Sequence, residues 1–270
     1  MNPIARPVLA VLALLLVSGC ASVPSSAGRS AAEGYLPLRD QPHYQVRVRQ
    51  GAAPWPASPL FRLPEALLAD GAADAGISAA QAAVVANHAA RSVCLALAPW
   101  VQWSGAGEGG RIALQVQKIT ASSSGVAATS AVIDAVVPGP FRLPAGLGAL
   151  AVDTRVEDAA AGAVLEMHWA RGANPLLHRA RASAIGDAWE LAPSHARDLR
   201  DALKLERAAQ LPADVRNASV AACEQRFGKV NVAGRAASMF LPLSPEAIDP
   251  SDDTAPGDVP AEGTPATPQP

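Results

Sequence analysis

The sequence predicts an α+β domain: a mainly antiparallel sheet of four to five strands with two helices packed on one face, between disordered termini. Three observations carry the prediction. Four runs alternate apolar and polar residues with period two, two longer segments repeat apolar residues at helical spacing, and the order along the chain is β-α-β-β-β-β-α. Period-two alternation implies one covered and one wetter face, which favours antiparallel pairing.

Taken in order, Val46 to Arg49 is a short edge strand. Gly76-Ile77-Ser78 opens the clearest helix, and Ser78 with Gln81 has the spacing of a capping box. Ala82, Val85, Ala89, Val93, Ala96 and Leu97 then form one apolar face, which Pro99 ends. Trp100 and Trp103 follow and are expected to cap a small core. The next strands centre on Ile112, Leu114 and Val116, and on Ile133, Ala135 and Val137. Leu150, Val152, Thr154 and Val156 make the next, and Ala163, Leu165, Met167 and Trp169 the last. Asp158 to Gly162 between those two is short enough for a hairpin. The second helix is expected from Asp187 to about Gln210, with Trp189, Ala196, Leu199 and Leu203 buried. Pro193 should kink or restart it, with Ser194 available as a new cap.

The first twenty residues read as an export signal. Arg6 supplies positive charge, and Val8 to Val17 is an apolar run about 15 Å long as a helix, half a bilayer core. Val17-Ser18-Gly19-Cys20 resembles a bacterial lipobox, whose cysteine is lipidated and becomes the first mature residue. Residues 1–19 are therefore expected to be removed and Cys20 to carry the acyl chains. More than one chain anchors stably, where a single myristoyl chain does not. Ala21 and Ser22 in place of Asp favour the outer membrane, facing the periplasm, over the periplasmic face of the inner membrane. Residues 20–33, rich in Ser and Ala, read as a flexible tether. Residues 34–241 hold the single domain. Residues 242–270 contain eight prolines and only acidic charges, so a disordered tail is expected there, and truncation after Leu243 should leave the melting temperature unchanged.

Composition narrows the function classes. Formal charge is −2, from 22 basic and 24 acidic residues, which excludes a strongly basic nucleic-acid binder. Sixty alanines foretell a thin core. The Gly105 to Gly110 stretch lies between a helix and a strand, the reverse of the order a phosphate loop needs. The five histidines, His43, His88, His168, His178 and His195, show no metal-binding spacing, and neither a metal nor a cofactor is expected. No G-x-S-x-G elbow occurs. Asp153, Glu157 and Glu166 could meet across the hairpin as paired carboxylates, although acids on the outward face of a sheet are ordinarily solvated. Once Cys20 is acylated, an even pair of thiols remains. In an oxidising compartment Cys94 and Cys223 are expected to form a disulfide, with two buried free thiols as the rival reading.

Several segments resemble a family of bacterial lipoproteins catalogued only as a domain of unknown function. The resemblance covers roughly Gly34 to Leu205. It rests on Gly34-Tyr35-Leu36 after the tether, the Ser-capped helix from Ser78, Val152 through Glu157-Asp158 turning at Gly162, and Gly186-Asp187-Ala188-Trp189 opening the last helix. The turn at Ala159-Ala160-Ala161 is longer than that pattern, Pro193 interrupts the helix, and Leu211 to Leu241 has no counterpart. The resemblance implies an envelope location and supplies no activity.

The expected function is that of a lipid-anchored, non-enzymatic periplasmic domain that binds an envelope protein, peptidoglycan or a transported lipid. The alternatives are an envelope hydrolase with a site assembled from distant residues, and a small-ligand or lipid carrier with a cavity lined by Trp100, Trp103 and Trp169.

Overall fold

The structure, a computed structural model, describes residues 33–57, 59–105, 107–122, 147–173 and 183–229, together with Pro245 and Asp249. Its strands are β1 (Leu36–Gln41), β2 (Tyr44–Gln50), β3 (Leu60–Arg62), β4 (Glu65–Leu68), β5 (Gln102–Ser104), β6 (Arg111–Thr120), β7 (Ala149–Asp158) and β8 (Gly162–Gly172). Its α-helices are α1 (Ala79–Leu97), α2 (Gly186–Ala202) and α3 (Ala213–Phe227). The class is α+β with a mostly antiparallel sheet.

Six strands form that sheet in the order β1-β2-β8-β7-β6-β4, one or two more than expected from alternation. Every pair is antiparallel except β4 with β6. Parallel neighbours need a long crossover, and α1 lies within the one joining β4 to β6. A separate parallel pair, β3 with β5, lies beside it. The strand at Val46 to Arg49 is not an edge: it is part of β2, which β1 covers through a hairpin. On that side the edge is β1, exposed along its length, where Pro37, Arg39 and Asp40 discourage further pairing, and β4 is the opposite edge. The expected strand at Ile133 to Val137 lies outside the described residues, as does the signal segment with Cys20 and the tether to residue 32.

Alternation sorts the two faces. Ile112, Leu114, Val116, Leu150, Val152, Val156, Leu165, Met167 and Trp169 enter one core with Val46. A register shift between Val116 and Lys118 inserts Gln117 as an extra residue in β6. That bulge reverses the parity of the strand, so Ile119 is buried and Lys118 is not. The α1–α2 packing is alanine-rich: Ala82, Ala86, Ala89 and Ala90 of α1 and Ala188, Ala192 and Ala196 of α2 are buried. Short side chains let the helix backbones approach closely, which is how an alanine-rich sequence still closes a core.

The Ser78 hydroxyl accepts the Gln81 backbone N–H at 3.2 Å, and the Gln81 side chain accepts the Ser78 N–H at 3.0 Å, completing the capping box. Helix α2 runs through Pro193 as one element rather than restarting, and Ser194 accepts a bond from Arg197 instead of capping. It stops at Ala202, eight residues earlier than expected, because Lys204 takes a left-handed conformation (φ 56°) that ends the helix. Gly105 to Gly110 joins β5 to β6. A Cβ at Gly110 would lie 2.6 Å from the Phe61 ring, so glycine there permits β3 to pack close. Among the described residues no helix is long and apolar enough to cross a membrane.

Candidate functional site

Helix α3 shows how a weakly apolar segment is held. Only Ser219, Cys223 and Phe227, four residues apart, are buried. Ser219 donates to the Val101 carbonyl at 2.9 Å. Cys223 forms a disulfide with Cys94 in the last turns of α1, with Cα atoms 5.8 Å apart. The pairing expected from cysteine parity is therefore present, and it fastens α3 to the α+β body.

Beside that bridge lies a buried ion pair. Arg91 is only 2% exposed and Asp249 likewise. The Arg91 guanidinium holds both Asp249 oxygens: Nη1 donates to Oδ1 at 2.7 Å and Nη2 donates to Oδ2. Trp189 Nε1 on α2 donates to the same Oδ2 at 3.0 Å. The His88 ring stacks on the Trp189 indole, centroids 4.1 Å apart and planes 10° from parallel. Nη2 of Arg91 also donates to His88 Nδ1 at 2.6 Å, which makes Nδ1 the acceptor and puts the neutral ring's proton on Nε2. Nη1 of Arg91 and Nδ2 of Asn87 both donate to the Phe227 carbonyl, at 3.3 and 3.2 Å. The clamp thus draws one turn of α1, one residue of α2, the end of α3 and a carboxylate from the C-terminal segment. Of the tail expected over 242–270, the described residues are Pro245 and Asp249, and Asp249 is buried; the rest of that segment lies outside the described residues. Two unlike charges leave water together here because bidentate geometry satisfies both.

The proposed carboxylate set on the hairpin is divided among separate partners. Asp153 faces His168 across β7 and β8 and bonds its Nδ1, while Gln117 Nε2 donates to the other Asp153 oxygen at 2.8 Å. Glu166 accepts from Tyr35 at 2.5 Å and from Arg49 at 2.6 Å. Partial burial acts to raise the Glu166 pKa, but the Tyr35 hydroxyl and Arg49 more than offset it and hold the carboxyl below its ordinary range. Glu157 pairs with Arg155 at 2.7 Å. These are local ties, across strands for Asp153 and within β7 for Glu157, and each carboxylate is engaged by groups of its own surroundings.

A third polar group ties α2 to the sheet. Asp198 accepts from Tyr44 of β2 and, at 2.6 Å, from Trp169 Nε1 of β8. Burial, with the Asp198 carboxylate adding to it, pushes the Tyr44 hydroxyl up to about 12. His195 is fully buried, its Nε2 2.8 Å from Thr154 Oγ1, and burial lowers its pKa to about 3. Unfolded, His195 binds a proton near pH 6.5; folded, it does not until about pH 3. Stability from keeping it neutral is complete above pH 6.5 and is lost as pH falls towards 3, at up to about 1.4 kcal/mol per pH unit. In His195→Gln the denaturant midpoint is expected to fall less steeply over that window. Equal slopes for the two proteins would refute the assignment.

Trp100 and Trp103, expected to cap the core, are buried with their N–H groups satisfied by the Ala208 and Cys94 carbonyls; Trp169, named with them as lining in the carrier alternative, is buried and donates to Asp198. Among the described residues no group of three or more His, Cys, Asp or Glu is placed to hold a metal ion. His178 lies outside those residues. Sequence reading missed Arg91 and Asp249. A signal existed for the first: Arg91 is the sole charged residue of the 19-residue α1.

The fold and these clusters define a disulfide-closed α+β domain with a buried arginine–carboxylate clamp. No family model and no curated protein matches the chain. Among solved structures it is similar to two PelC dodecamers from Paraburkholderia phytofirmans. One, a point variant, has a TM-score of 0.37 and 12% identity and covers 58% of this chain and 96% of that one. The other has a TM-score of 0.34 and 10% identity and covers 59% and 96%. Likeness at this level says nothing about what this chain does.

Proposed function

We propose that this chain is a lipid-anchored envelope lipoprotein whose domain, in the periplasm, binds an envelope partner without chemistry of its own. The observation that carries the reading is the Cys94–Cys223 disulfide. Structural disulfides belong to oxidising compartments. The sequence contains three cysteines, so the bridge leaves the lipobox residue Cys20 as the one remaining thiol. The lipobox, the tether reading of residues 20–33 and the resemblance to bacterial lipoproteins support the same location, with the outer membrane favoured by Ala21 and Ser22. A binding role rather than a catalytic one is supported by the clusters described above, in which Asp153, Glu166, Glu157 and Asp249 are each engaged by groups of the same chain.

The experiment is the Cys20→Ala variant expressed with its signal. It is expected to lose acylation and either to accumulate as unprocessed precursor or to release soluble protein. A variant that still carries acyl chains and sediments with membranes would overturn the anchor. Crosslinking of the wild-type protein in intact envelopes tests the partner. Repeated recovery of no specific protein or peptidoglycan adduct would remove the binding half of the proposal.

A further inference from the structure

The groups around Asp249 have a property that an ordinary ion pair does not need. Arg91 is oriented by bonds that do not involve the carboxylate: Nη1 is held by the Phe227 carbonyl and Nη2 by His88 Nδ1. His88 is itself fixed by its stack on Trp189, and the Phe227 carbonyl is shared with Asn87. The guanidinium fork and the Trp189 N–H therefore converge on one point whether or not a carboxylate is there. The carboxylate comes from elsewhere, 158 residues along the chain from Arg91. Among the described residues, the backbone bond of Asp249 is that of its N–H to the Pro245 carbonyl at 2.8 Å.

We infer that Arg91, Trp189 and His88 form a preorganised carboxylate-binding site, occupied in cis by Asp249 and able to take a carboxylate supplied in trans. Preorganisation matters because the cost of ordering the receptor is already met on folding, so a second carboxylate has only its own freedom to lose. The fork selects a planar, two-oxygen anion over chloride, which can engage it at one point only. The donor set asks for a carboxylate, whether a small free acid or an aspartate in an acidic peptide. The inference does not depend on the lipid anchor and stands or falls separately from it.

The test uses the full chain carrying Asp249→Ala, which removes the carboxyl group that formate can replace. Thermal unfolding is followed in sodium formate and in sodium chloride of equal ionic strength. A second arm uses a synthetic peptide of residues 246–253, and the same peptide with Asp249→Asn. Formate is expected to raise the melting temperature of the variant saturably, by about 5–10 °C at a hundredfold excess over its dissociation constant. Chloride should not, and the wild-type chain, its site already filled, should shift far less. Trp189→Phe added to Asp249→Ala should weaken the response while leaving Arg91 in place. If the formate response is met but the acidic peptide does no better than its asparagine form, the site takes small free acids. If the peptide responds through its aspartate, it takes peptide carboxylates. Should Asp249→Ala be unable to fold unaided, its yield on refolding from denaturant is read instead and should rise with formate. A response to formate no larger than to chloride, in both unfolding and refolding, overturns the site.

Discussion

A chain truncated after Leu243 is expected to be about 3–5 kcal/mol less stable than the full chain, the cost of breaking a buried ion pair from one side. Removing the tail deletes Asp249 and leaves Arg91, 2% exposed, with a charge facing no counterion among the described residues. Its bonds to the Phe227 carbonyl and to His88 remain, but neither partner carries a full negative charge. Trp189 Nε1 loses its acceptor as well. The cost lies in stranding the charge and not in lost apolar contact, which supplies a control. Arg91→Met in the truncated chain should recover much of the loss, because it removes the charge while filling similar volume. Urea denaturation of the three proteins decides the matter. A truncation that moves the midpoint by no more than experimental error would show that Asp249 contributes nothing, as the proline-rich, acidic composition of the tail by itself suggests.

Loss of the Cys94–Cys223 bridge is the second large effect. The cysteines are 129 residues apart, and closing a loop of that size removes enough unfolded-chain entropy for an upper estimate of about 5 kcal/mol. Replacing both cysteines by alanine is expected to cost about 2–5 kcal/mol, the range met when native disulfides are removed. The loss should also be local. Helix α3 buries little beyond Ser219, Cys223 and Phe227, so its amides should exchange with solvent first when the bridge is absent. Because the Phe227 carbonyl orients Arg91, the bridge and the tail act on one cluster, and their combined removal should depart from the sum of the separate losses. Mass spectrometry of protein matured in an oxidising compartment should find Cys94 and Cys223 without free thiols. Free thiols at both positions, in protein never exposed to reductant, would exclude the bridge.

What could be read in advance was local. The Ser78–Gln81 cap spans three residues, and its geometry follows from those residues alone. The β7–β8 hairpin follows from alternation and a short turn, and the α1 face follows from its spacing. Strands β1 and β4 escaped the same reading. In β4, Leu67 and Leu68 are adjacent, so nothing alternates, and the strand exists because β6 offers it a parallel neighbour. The end of α2 escaped too: apolar spacing continues past Ala202, and only the left-handed turn at Lys204 stops it. The carboxylates of the hairpin looked like a candidate pair because their partners Tyr35 and Arg49 lie more than a hundred residues away in sequence.

The sequence by itself determined the class of fold, the two principal helices, the hairpin and, through cysteine parity, the disulfide. Each depends on spacing within a short window or on counting. Tertiary structure alone decided the order of six strands and which acid answers Arg91. A lone arginine in an alanine-rich helix announces that it needs a counterion, since an unpaired charge is too costly to bury. It cannot say which of the acidic residues, near or far, will supply one. That choice is made by where the packed helices leave an opening, and the opening exists only after α1, α2 and α3 have come together.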